Sequence, residues 1–230
     1  HQLIKEIQEI QDKIILENYR EAKEQVLSLL DQDPYNFRAL DLLAEISVKV
    51  KDSIGLYKFI RKYDLDLHSI NSSTLINIID ALTLEKDNKD IQAFTNKILE
   101  IATSGKLEEN QIVRAAISLK KLADPDEVVE FINESIKKYP KLRSHSTLLE
   151  KRATAKMDLA KRCINTGKDR NSSARTKARA WEMCRDLLSE AEKDLYLALD
   201  HVENPNERFF IEQDISFLEN MKKISRKPKR

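Results

Sequence analysis

A chain of 230 residues with only 3 Gly and 5 Pro is too poor in turn-forming residues to build a sheet, so the composition implies an all-α protein. Charged residues make up 34%, above the roughly 25% of average domains, as expected when many thin helices each show a face to water; a formal charge of +1 excludes a globally basic protein. The two cysteines, Cys163 and Cys184, have no metal or redox spacing and suit a reducing compartment, and no apolar run approaches the roughly 18 residues that span a bilayer.

Leu3, Ile7, Ile10 and Ile14 recur at helical spacing and predict an amphipathic first helix. Glu17-Asn18 makes the corner, and the stretch from Asn18 to Pro34 predicts its antiparallel partner. There Ala22 offers a close-packing spot, Val26 and Leu29 a short apolar stripe, and Pro34 the stop, because proline lacks an N–H and clashes with the preceding turn. The stretch resembles the second helix of a tetratricopeptide (TPR) repeat, a helix-turn-helix unit of about 34 residues. Leu40, Leu43 and Ala44 of the next helix occupy the places where TPR first helices carry a large residue, Leu and a small residue. Lys51-Asp52-Ser53 turns the chain into a helix with Ile54, Tyr57, Phe59, Ile60 and Tyr63, where Gly55 or Leu56 stands at the family's small position.

Asn71, Ser72 and Ser73 predict an N-cap ahead of Leu75, Ile78, Ile79 and Leu82. Ile91, Phe94, Ile98 and Ile101 form the partner, closed by a C-cap at Gly105. A fourth pair runs from Glu108 to Leu122 and from Asp126 to Tyr139, the second helix started by Asp124-Pro125-Asp126-Glu127. Beyond residue 140 the resemblance weakens. Leu149, Ala153, Ala160 and Ile164 outline a longer helix, Gly167 to Ser173 a linker, and Ala174, Ala178, Trp181, Leu188, Ala191, Leu195 and Val202 the apolar stripe of a helix of almost thirty residues. Asn204-Pro205-Asn206-Glu207 starts a last helix with Asn204 as N-cap and Glu207 placed to complete a capping box. Phe210, Ile211, Ile215, Phe217, Leu218 and Met221 give that helix two apolar sides, and the tail 225–230 reads as disordered.

The organisation expected is therefore a TPR-like α-solenoid of antiparallel helix pairs over 1–140, a long helical hairpin with a closing helix over 141–224, and a basic tail. Without an initiator Met, the chain reads as a piece of a longer polypeptide. No Gly-rich phosphate loop is present, and the four histidines stand isolated, so neither catalysis, a cofactor nor a metal site is expected. Trp181 lies on the apolar stripe and reads as core rather than as a stacking platform.

The TPR resemblance implies a non-catalytic, cytoplasmic scaffold that holds a protein or peptide segment in a groove lined by the first helix of each pair. On the second unit the groove-facing positions fall at Arg38, Asp41, Glu45 and Lys49. Charge supplies a second reading. Between Lys141 and Asp186 stand 13 Lys/Arg against 5 Asp/Glu, mostly Lys151, Arg152, Lys156, Lys161, Arg162, Lys168, Arg170, Arg175, Lys177 and Arg179. That patch is a solvated face, a docking site for an acidic protein, or a phosphate-tracking surface of a nucleic-acid-binding accessory domain. The basic residues from Arg226 to Arg230 would suit a nuclear address.

Overall fold

Wherever apolar residues recur three and four apart, the computed structural model is helical; it describes residues 1–226, and no strand occurs among them. The basic residues 227–230 of the tail lie outside the described residues; of the stretch read as disordered, Ser225 is buried at the end of a helix. The chain divides into two units, His1–Leu122 and a second starting at Ala123. That division falls inside the stretch 1–140 and separates the two helices of the fourth expected pair.

The first unit holds α1 (Gln2–Ile15), α2 (Tyr19–Gln32), α3 (Phe37–Val50), α4 (Ile54–Lys62), α5 (Ser72–Leu82), α6 (Gln92–Ile101) and α7 (Glu109–Leu122). α1 packs on α2 and α3, α2 on α3, α3 on α4 and α5, and α5 on α6 and α7. Pro34 ends α2 as expected, and Ala22, Val26 and Leu29 are buried. Leu3 departs from its predicted face and is about half exposed, whereas Ile7, Ile10 and Ile14 carry the packing of α1. The Asn71 side chain caps α5 by accepting the Thr74 N–H at 2.8 Å.

A chain with so few glycines must close its helices by other means. Glu17, Lys51 and Asp64 adopt left-handed backbone (φ 59°, 56° and 46°) just past α1, α3 and α4. Each carries a Cβ penalty of roughly 1–2 kcal/mol. Only Gly105, at φ 88° after α6, uses the residue suited to this conformation.

Side-chain contacts also link α2 to the residues flanking α4, and α4 to α6. Lys23 of α2 reaches Asp52, just before α4, at 3.3 Å, and the Tyr63 hydroxyl donates to Asp31 of α2. That bond, together with Lys62, holds the Asp31 carboxyl below the usual carboxylate range. Tyr57 of α4 packs its ring on Phe94 of α6 at 5.2 Å between centroids.

The second unit holds α8 (Pro125–Lys138), α9 (Ser146–Lys168), α10 (Ala174–His201) and α11 (Pro205–Ser225). α8 starts at the Asp124-Pro125 signal as its sequence predicts, and the structure adds an Asp124/Glu127 capping box. α9 and α10 pack along their length, α8 lies on α9, and α11 covers α10 and α9. Small residues recur seven apart on both long helices, Ala153, Ala160 and Gly167 on α9 and Cys184, Ala191 and Ala198 on α10, beside Leu188, Leu195 and Val202. A seven-residue repeat of this kind makes a coiled-coil seam, and alanines let the backbones approach closely. Burial pushes the Cys184 thiol up to about 11, so at neutral pH it serves as an apolar packing group.

Three sequence expectations are corrected here. Gly167 does not open a linker: α9 continues through it to Lys168, and the Trp181 indole fills the space of the missing side chain, its nearest ring atom 2.5 Å from where a Cβ would stand. Glu207 does not complete a capping box. Its carboxylate accepts the Ser146 and Thr147 hydroxyls at 3.0 and 2.8 Å instead, while Asn204 alone caps α11. Ala174 and Ala178 are exposed rather than on the seam. Of the two apolar sides of α11, Ile211, Leu218 and Met221 are buried, whereas Phe210 and Phe217 are more than half exposed.

The Gly167–Trp181 contact makes a direct test. Gly167→Ala forces the indole out of place and lowers stability by about 1–3 kcal/mol, read by urea unfolding with the fluorescence of this single tryptophan. Gly55→Ala in α4, where a new Cβ meets the flexible Lys23 amine at 3.4 Å and the Asp52 carboxylate at 3.8 Å, gains about 0.5–1 kcal/mol. Stabilisation by Gly167→Ala would contradict this packing.

Candidate functional site

α5 carries an almost continuous apolar surface, with Leu75, Ile76, Ile78, Ile79, Ala81 and Leu82 all buried. Its remaining polar edge is Ser73, Asn77 and Asp80, spaced four and three apart so that they stack along one side. Every one of the three makes hydrogen bonds to a neighbouring helix. On the α3 side, Asp41 accepts the Ser73 hydroxyl at 3.0 Å and the Asn77 amide at 2.6 Å. On the α7 side, the Arg114 guanidinium donates to the Asn77 carbonyl at 2.7 Å and, through Nε, to Asp80 at 2.7 Å. Ser118 of α7 donates to the second Asp80 oxygen, also at 2.7 Å.

The result is a polar strip across α3, α5 and α7, in which Asn77 bridges Asp41 and Arg114 by donating to one and accepting from the other. The strip is open to water: Ser73 and Arg114 are exposed, Asp41, Asn77 and Asp80 half-buried, and only Ser118 is buried. Side chains held on two sides in this way are preorganised.

Of the four groove positions expected on α3, Arg38 and Lys49 are exposed and Asp41 and Glu45 half-buried, spaced along one side of the helix. Asp41 joins the strip; no bond of the strip involves the other three. Sequence reasoning missed Ser73, Asn77, Asp80, Arg114 and Ser118. The signal was present in α5, whose polar residues past its first turn fall at helical spacing in an otherwise apolar run.

The ten cations of the expected basic patch separate into two groups. Arg152 binds Asp194 through two parallel bonds, Nε at 2.8 Å and a terminal nitrogen at 2.7 Å. Lys156 lies 3.1 Å from Glu190 and 3.7 Å from Asp194, and Lys151 lies 3.2 Å from Glu150. Arg152 and Lys156 therefore serve the α9–α10 seam, whereas Lys151 pairs with its neighbour on α9 itself. Lys161, Arg162, Lys168, Arg170, Arg175 and Arg179 are exposed and Lys177 half-buried, all near the end of the hairpin where α9 turns into α10. Arg162 approaches Asp124 at 3.5 Å, an exposed pair of little energetic weight. Trp181 is half-buried and packs against the seam cluster.

Among the described residues, no group of three or more His, Cys, Asp or Glu is placed to hold a metal ion. None of their helices is long and apolar enough to cross a membrane. No protein-family model and no curated protein matches this chain.

Asp194 is 6% exposed and compensates a largely buried guanidinium. Breaking such a pair by removing one partner costs about 3–5 kcal/mol. Asp194→Asn should lower the free energy of urea unfolding by that amount, and a change below about 1 kcal/mol would show that the pair does not hold the seam.

Proposed function

We propose that the first unit is a non-catalytic interaction module, a TPR-like array that holds an extended peptide or protein segment against its first helices. In this reading α1, α3, α5 and α7 form one layer of the array and α2, α4 and α6 the other. The packing of α1 on α3, α3 on α5 and α5 on α7 supports the first layer. The links from Lys23 to Asp52, Tyr63 to Asp31 and Tyr57 to Phe94 support the second. Stacking of this kind buries apolar faces that no single helix pair can hide, and its curvature leaves an extended binding surface.

The observation that carries the proposal is the polar strip from Asp41 through Asn77 to Arg114 and Asp80. It crosses three successive first helices, the course a segment lying in such a groove would follow. Arg114 is its exposed cation and Asp41 an anion toward the opposite side, so the strip would orient a segment bearing an acidic group near α7 and a donor near α3. Arg38, Glu45 and Lys49 would extend the same surface along α3.

Selection of binders from a random-peptide display library on the full chain tests this reading. Peptides so obtained should lose at least tenfold in affinity with Arg114→Glu or Asp41→Lys. They should change less than twofold with Lys223→Glu on α11, far from the strip in sequence. Binders indifferent to both strip variants, or no binders at all, would overturn the proposal.

A further inference from the structure

We infer that the tip of the α9–α10 hairpin is a binding site for the phosphate backbone of a nucleic acid, separate from the peptide-binding face proposed above. The inference rests on how the hairpin sorts its cations. From Lys161 to Arg179 the chain carries seven Lys/Arg and a single acid, Asp169. The hairpin returns on itself in the short loop after Lys168, so the last turns of α9 and the first turns of α10 bring these cations to one end. Lys168, Arg170, Arg175 and Arg179 are exposed there. Among the described residues no ion pair ties any of these four to a carboxylate, in contrast to Arg152 and Lys156 deeper along the same helices.

Asp169 offsets only one of the seven positive charges at the tip, and the loop holds its carboxylate in place. It accepts the Asn171 N–H at 3.0 Å and the Ser172 hydroxyl at 2.9 Å, and those bonds hold its carboxyl below the usual carboxylate range. Lys177 adds a smaller electrostatic contribution. The Ser173 hydroxyl caps α10 by accepting the Thr176 N–H at 3.1 Å, which fixes where Arg175 and Arg179 leave the helix.

Two features favour a nucleic acid over an acidic protein. Protein interfaces are built around an apolar core, and no large hydrophobic residue is exposed between Lys161 and Arg179. A phosphate backbone needs no such core. Four of the seven cations are arginines, whose planar fork matches phosphate oxygens two at a time. No aromatic residue stands between Lys161 and Arg179 to stack on bases, so recognition follows the backbone and not the sequence. With the chain at +1 overall and the tip strongly positive, attraction for a polyanion is local and not a property of the whole surface.

The test uses the full chain and two fluorescein-labelled probes, a 20-nucleotide single-stranded RNA and a 20-base-pair DNA duplex, in fluorescence anisotropy from 50 to 200 mM salt. At least one probe should bind at 50 mM salt, with log K falling against log salt at a slope of about −3 to −5, as release of counterions from several phosphates requires. Lys168→Glu/Arg170→Glu/Arg175→Glu should weaken binding at least tenfold while circular dichroism and the urea midpoint stay unchanged. Lys227→Glu/Lys229→Glu/Arg230→Glu should alter it less than threefold. The inference is overturned by no binding of either probe at 50 mM salt, by loss with the tail variant alone, or by full affinity in the tip variant. Displacement of both probes by polyglutamate at equal charge concentration would also overturn it, in favour of an acidic protein partner.

Discussion

Seven of the eleven residues between Ser72 and Leu82 are buried, so α5 can leave only one narrow edge to water. An apolar helix of that kind is stable only when neighbours surround it, and α3, α6 and α7 do so. Ser73, Asn77 and Asp80 lie along the edge that remains, and they bond sideways to α3 and α7. The polar bonds then set the register that burial alone leaves loose, since apolar contact is non-directional and hydrogen bonds are not. The face proposed to receive a peptide is thus a consequence of how α5 is buried.

The hairpin of the second unit solves the same problem by another route. Its helices are long, and their seam is narrow and lined with small residues, Ala153, Ala160, Ala191 and Ala198. Close backbone approach compensates for the small apolar area of each alanine. Gly167 is the extreme case, where the missing Cβ makes room for the Trp181 ring. Arg152 opposite Asp194 and Lys156 opposite Glu190 repeat that antiparallel register in charge. Beyond these pairs the α9–α10 contact needs no further cations, which is why those at the tip are available to a ligand.

Helix class and most helix boundaries were legible in the sequence because apolar spacing, Pro34, Asn71 and the Asp124-Pro125 start are local signals. Features that depend on a residue distant in the chain were not. Gly167 reads as a breaker until Trp181, fourteen residues on, is set against it. Glu207 reads as half of a capping box until Ser146 and Thr147 offer it hydroxyls from another helix. The basic run 151–179 reads as one patch because charge counting cannot tell that Arg152 faces an aspartate 42 residues away. The candidate face was legible only at Asp41, which the TPR resemblance had put among the groove positions; α5 was read for its apolar residues and its polar edge passed unnoticed.

Amide hydrogen exchange across residues 1–122 of the full chain bears most directly on the role given to α5. If that helix is the hub from which the polar face is hung, the amides of Leu75 to Leu82 exchange more slowly than any others in the unit and open only when the whole unit unfolds. Exchange in α5 as fast as in the outer helix α1, with α3 and α7 still protected, would contradict the account.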